Sequence, residues 1–222
     1  MAPHSSRVGD LKHSHSIADY FALLDEPRRP WLEAEELKAK VLALTAAVHP
    51  DRAHQAGESE RQAANQRCAE LNAAYLCLRE PRERLRHLLE LERGENIQDL
   101  QDISAAKMDL FTEVCRLCRE ADSLVANNPS ASSPVLKAQR FEKAVALTDR
   151  LNSLLETLNG QREKLIVQLK NLNMAWETAP PVGTPARVHV LPCSRLEQLY
   201  REFSFLTRWA EQLRERIVQL SS

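Results

Sequence analysis

The residues with the clearest chemical potential are His49, Pro50 and Asp51, which stand together between two stretches of periodic apolar residues. Proline locks its own φ and steers the residue before it out of the helical region. The imidazole of His49 and the carboxylate of Asp51 are therefore presented in one geometry. Little ordering entropy is lost when such groups pair with another protein, and Asp51 can accept two hydrogen bonds from an arginine. The same tripeptide would also serve as a plain helix-capping turn. The other constellation of reactive groups is Cys115-x-x-Cys118. On a helix it places two thiols on adjoining positions of one face, but a zinc or iron–sulfur site needs two further ligands. None stands at a useful spacing, and no strand precedes the pair as in dithiol redox sites. Both cysteines are read as small apolar residues of a core or surface patch. The chain also lacks a glycine-rich phosphate loop and any nucleophile with a base at motif spacing, so it is read as a non-enzyme with no cofactor and no metal.

The elements that must position His49-Pro50-Asp51 are helical. Asp19 to Leu24 reads as a short apolar helix ended by Pro27 and Pro30. Leu37, Val41, Leu44 and Val48 are spaced four, three and four apart, one face of an amphipathic helix that stops at the His49-Pro50 step. After a loop to Gly57, Ser59 and Gln62 have capping-box spacing, and Cys68, Leu71, Tyr75 and Leu78 form the next stripe. Pro81 opens a fourth helix carrying Leu85, Leu88 and Leu89. Gly94 and the polar run after it mark a boundary. From about Ser104 the pattern becomes long helices: one to about Val125, closed by Asn127-Asn128-Pro129, and one from Pro134 towards Asn173 that Gly160 is placed to interrupt. Four prolines between Thr178 and Pro192 make a linker there. A last helix opens with a second capping box, Ser194 and Glu197, and Leu196, Leu199, Phe203, Leu206, Ala210, Leu213, Ile217 and Leu220 follow at alternating threes and fours, a coiled-coil seam. Three such helices must bury their stripes together, as an antiparallel bundle. The expected fold is all-α: a tail over 1–17, a helical hairpin unit over 18–92, and a three-helix bundle over 98–222 with a Pro-rich linker at 178–192.

Placed between these helices, His49-Pro50-Asp51 with Asn72-Ala73-Ala74-Tyr75 after it and Pro81-Arg82 beyond closely resembles a J-domain. The run Asp19 to Leu91, with Asp19-Tyr20-Phe21, Arg52 after the tripeptide, and Leu71-Asn72-Ala73-Ala74-Tyr75 leading to Arg79-Glu80-Pro81-Arg82, is similar to the HscB family, co-chaperones of iron–sulfur cluster assembly. The resemblance implies that His49, Pro50, Asp51 and Arg52 dock on a DnaK-type, HscA-like chaperone and accelerate its ATP hydrolysis, with Lys38, Lys40 and the Arg28-Arg29 pair steering the approach. The turns before His49 depart from the J-domain pattern: Leu42, Ala43, Leu44, Thr45, Ala46 and Ala47 stand where lysines and arginines are common. The family's bundle binds an IscU-like scaffold protein, and alignment places Phe111, Thr112 and Cys115 on that patch, with Phe203 nearby. Phe205 and Trp209, four apart and off the seam, are expected to add exposed aromatic surface to it. The insertion before the last helix is the largest departure from the family. Another client, or homodimerisation through the seam, is the alternative use of the bundle.

Composition supports a helix-rich chain and excludes several partners. The 222 residues include 5 glycines, 5% aromatics and 27% charged residues, and the formal net charge is -1. Interleaved charges of both signs create no field to gather phosphates, so nucleic acid is not expected. No apolar stretch reaches the roughly 20 residues that span a bilayer, and Met1 to Ser16 lacks the apolar core of a signal peptide, so a cytoplasmic protein with no membrane partner is expected. Five cysteines, an odd number, fit reduced thiols.

Overall fold

The computed structural model describes residues 17–48, 57–97, 107–126 and 133–221. Eight helices and, among the described residues, no strand account for its regular structure. The first, α1 (Tyr20–Leu23), is a single turn capped by Asp19, whose carboxylate accepts the amides of Phe21 at 3.0 Å and Ala22 at 3.1 Å and holds Arg28 at 2.8 Å with its other oxygen. α2 (Ala34–Ala47) buries Leu37 and Val41 against α3 (Glu58–Arg79), which supplies Leu71, Ala74 and Leu78. The Ser59–Gln62 capping box does not form. α3 begins at Glu58, capped by Gly57 two residues before the expected cap and without a side-chain bond, so Ser59 already lies within the first turn. α4 (Pro81–Arg93) has proline at its first position and ends on Gly94 in the left-handed conformation, φ 71°, which a residue without Cβ adopts without strain.

The remaining helices are α5 (Met108–Ala126), α6 (Pro134–Glu177), α7 (Pro185–Val190) and α8 (Cys193–Leu220). α6 has 44 residues, about 66 Å at 1.5 Å per residue. Gly160 does not interrupt it. The residue sits on the exposed side with open space around it, and long flanking runs of good helix formers carry the chain through a glycine that costs about 1 kcal/mol. Thr178–Pro192, expected to be a plain linker, contains α7, with Pro185 at its first position. The Ser194–Glu197 box also fails: α8 starts at Cys193, and the Glu197 carboxylate bonds Arg93 and Arg201 instead.

Ion pairs fix the direction of the long helices. Lys107 meets Gln161 and Glu202, Glu120 meets Arg150, and Asp122 meets Arg216. α5 and α8 therefore run the same way and α6 runs against both. The α8 seam is buried from Leu196 to Leu213 and packs on Leu147, Leu151, Leu154, Leu158, Leu165 and Leu169 of α6 and on Val114, Leu117 and Ala121 of α5. Phe141 and Val145 of α6 are exposed, because they lie off the helix face that turns Ala144, Leu147, Leu151 and Leu154 inward. One continuous apolar core extends from Phe21 through the bundle, with α4 lying on α8.

Candidate functional site

Two surfaces carry the candidate residues. The first is the hairpin of α2 and α3. Val48, just past the end of α2, meets Cys68 through its carbonyl, so the ten residues of α3 before Cys68 extend some 15 Å beyond α2 and are exposed almost throughout. His49, Pro50, Asp51 and Arg52 lie in the connection between the two helices, outside the described residues. The expected steering cations are mostly committed within the chain. Lys40 donates to the Asp25 carbonyl at 2.7 Å and pairs with Glu26 at 2.7 Å, Arg29 pairs with Glu26, and Arg28 is held by Asp19 and lies 3.9 Å from Glu92. Lys38 remains on the exposed face of α2. The cation-poor turns noted before His49 thus sit on a hairpin whose neighbouring cations Lys40, Arg29 and Arg28 already have carboxylate partners.

The second surface lies on α5 and α8. Thr112 is exposed and Phe111 and Cys115 are half-buried. Beneath them the aromatic pair differs from expectation: Phe205 is 6% and Trp209 3% exposed. The α8 seam is wider than the three/four repeat alone implies, since α5 packs against its side and covers both rings. Trp209 lies 5.8 Å from Phe205 and 5.9 Å from Phe111, centroid to centroid, and Phe203 is fully buried. The structure therefore brings Phe111, Phe205 and Trp209 into contact, with Thr112 and Cys115 beside Phe111 on α5 and the two α8 rings buried rather than exposed. Cys118 faces inward, and burial pushes its thiol up. Among the described residues no group of three or more His, Cys, Asp and Glu is placed to hold a metal.

Between these surfaces lies a set of polar contacts that sequence reasoning missed. Asn173 of α6 accepts the Trp31 amide at 2.9 Å and donates to the Trp31 carbonyl at 3.0 Å. The Trp31 ring faces the Arg84 guanidinium at 5.1 Å and the Lys170 ammonium at 5.2 Å. Arg84 donates to the carbonyls of Pro30 and Leu78, and burial lowers its pKa to about 10. Glu92 of α4 binds Arg187 of α7 through both oxygens at 2.8 Å. One signal was available: Glu92 continues the Leu85, Leu88, Leu89 stripe at the next helical position, where a carboxylate needs a buried partner. Nothing in the sequence pointed to Asn173.

An antiparallel α2–α3 hairpin flanked by α1 and α4, followed by a bundle of long helices, is the architecture of a J-domain co-chaperone with a C-terminal helical domain. No protein-family model matches the chain. Curated relatives do: a co-chaperone protein HscB homolog of Burkholderia multivorans is 32% identical over 173 residues, covering 78% of this chain and 94% of the relative. The homolog from Paraburkholderia phymatum is 28% identical over 177 residues, covering 80% and 96%. Among solved structures, chaperone HscB from Vibrio cholerae superposes with a TM-score of 0.54 at 22% identity, covering 91% of this chain and 99% of that one. Human co-chaperone HscB gives 0.56 at 18% identity, covering 91% and 82%. The chain belongs to the HscB co-chaperone family. Its fold is an all-α J-domain joined to a helical bundle, and no helix among the described residues is long and apolar enough to cross a membrane.

Proposed function

We propose that this protein stimulates ATP hydrolysis by a DnaK-type, HscA-like chaperone through His49, Pro50, Asp51 and Arg52, and delivers to it an IscU-like iron–sulfur scaffold protein held on the bundle. The observation that carries the reading is that the His-Pro-Asp tripeptide connects two packed amphipathic helices in a chain whose relatives are co-chaperones along nearly their whole length. On this reading the protein makes and breaks no covalent bond. Asp51 pairs with a cation of the chaperone, Pro50 limits the entropy lost on docking, and the hydrolytic chemistry stays with the partner. Lys38 is the J-domain cation on α2 that faces solvent for steering, Lys40 being tied to Glu26.

The scaffold site we assign is the rim of Phe111, Thr112 and Cys115, with Phe205 and Trp209 acting beneath it as a rigid aromatic support and Phe203, whose ring meets Arg162 of α6, buried in the core behind them. A half-exposed apolar rim on a preorganised floor loses little side-chain entropy on binding. The chaperone's steady-state ATPase rate, measured with this protein and with and without the scaffold protein, tests the reading. Stimulation should rise synergistically with scaffold. Thr112→Arg, which sets a long cation on the exposed rim, should abolish the synergy while leaving the scaffold-independent stimulation within about twofold. Synergy undiminished in Thr112→Arg would remove the rim from the client site.

A further inference from the structure

We propose that the outer face of α2 is an apolar extension of the chaperone-docking surface, anchored by Leu42, and that the DnaK-type partner meets it with an apolar rather than an acidic patch. The inference rests on the function proposed above and names the partner chemistry of that same hairpin. Leu42 is 63% exposed in the middle of α2. Ala39 stands three residues before it and Ala43 and Ala46 one and four after it, all exposed, so the four make one strip at helical spacing. Leu37 and Val41, which α2 buries, face α3 instead. The exposed charges on the strip's side of α2, Glu35 and Lys38, are opposite in sign and stand at the end of the helix away from His49. From Ala39 to Ala47 the chain carries one charge, Lys40, which is committed to the Asp25 carbonyl and to Glu26.

A lone surface leucine asks for no partner. What distinguishes Leu42 is its place. It precedes Val48 by six residues, about 9 Å along the axis at 1.5 Å per residue, and His49 follows Val48 directly. A protein that closes on His49, Pro50 and Asp51 comes alongside the last turns of α2 and covers the strip. One leucine and its alanines fall well short of the roughly 800 Å² per partner that a stable interface buries. The strip is therefore the continuation of a larger interface, which favours the chaperone over a second copy of this chain held by the strip alone. Alanine gives up no rotamer freedom on burial and lets a partner approach the helix closely, leaving Leu42 as the anchor. An acidic patch set against this face would lose water and gain no cation in return. The complementary surface is apolar.

Leu42→Lys separates the two partner chemistries by the sign of its effect. Against an acidic patch the added cation tightens binding; against an apolar one it removes the anchor and leaves a charge to desolvate. Lysine matches leucine as a helix former, so circular dichroism of the variant should be that of the wild type. Surface plasmon resonance of the full chain on the cognate DnaK-type chaperone in ATP gives Kd, and the chaperone's ATPase rate is read alongside. Leu42→Lys should raise Kd by at least about tenfold. Ala46→Lys, one turn nearer the tripeptide, should weaken binding in the same direction, and it decides the matter should Leu42→Lys lose helix content. Phe141→Lys, on a side chain 70% exposed on α6, should leave Kd within about twofold of wild type. Binding by Leu42→Lys as tight as wild type, or tighter, overturns the apolar extension. So does a wild-type dimer in sedimentation that Leu42→Lys dissolves while chaperone affinity stays the same, which would give the strip to a second copy. A wild type that binds, weakens as stated in the variants and yet gives no stimulation defeats the proposed function and leaves the strip standing. One that stimulates but is indifferent to both lysines defeats the strip alone.

Discussion

Trp209 distinguishes a core residue from a partner-facing one, and the structure fixes the expected size of its effect. The indole is 3% exposed and sits between Phe205 and Phe111 at 5.8 and 5.9 Å. A buried tryptophan removes about 150–250 Å² from water, and truncating one leaves a void that the surrounding helices fill only in part, so Trp209→Ala should cost about 4 kcal/mol. For a chain of this size each kcal/mol lowers Tm by about 2–4 °C, which predicts a drop of about 8–16 °C. Thermal unfolding followed by circular dichroism at 222 nm measures it. Phe141→Ala is the matched control: that ring is 70% exposed on the leading turns of α6, so its loss should change stability by less than about 0.5 kcal/mol. A Trp209→Ala chain that melts within a degree or two of wild type would refute the buried aromatic floor and return Trp209 to the surface.

Two further perturbations follow from local features. Burial lowers the His87 pKa to about 4, and its neutral Nε2 accepts the Tyr20 amide at 3.2 Å. The folded chain therefore takes up this proton later than the unfolded chain, whose histidine titrates near 6.5, so stability contributed by the neutral ring is complete above that pH and is lost as pH falls towards 4. At pH 5 this amounts to about 2 kcal/mol; the urea midpoint of wild type should fall between pH 7.5 and 5 by more than that of His87→Gln, and equal falls would contradict the assignment. Gly160 lies mid-helix with open space where a Cβ would stand; Gly160→Ala should raise stability by about 0.5–1 kcal/mol in urea titration, and destabilisation would show that the position is not an ordinary helix interior.

Most of the helices could be read from spacing. The α8 seam, the Pro81 start and the Gly94 stop are local signals, and they appear where the residues dictate. The failures are tertiary. Ser59 and Ser194 have capping-box spacing, but each helix starts earlier, and Glu197 finds arginine partners that sequence proximity does not reveal. Phe205 and Trp209 are off the three/four repeat, which describes contact with one neighbouring helix. α8 touches α4, α5 and α6, so its buried arc is wider than any single seam. The cations assigned to steering illustrate the same limit: Lys40 looks free along the chain and reaches Glu26 only once the fold brings α2 beside it, although Arg29, three residues from Glu26, could have been paired from sequence. Asn173 and Arg187 are ordinary polar residues until the fold brings Trp31 and Glu92 to them.

On the proposed reading, His49-Pro50-Asp51 switches on a chaperone ATPase. Single-turnover hydrolysis of ATP by the cognate DnaK-type chaperone, with saturating wild-type protein or His49→Gln, tests it most directly. The wild type should stimulate hydrolysis at least several fold, and His49→Gln should return it to the unstimulated rate with an unfolding midpoint that matches wild type. Equal stimulation by both proteins would contradict it.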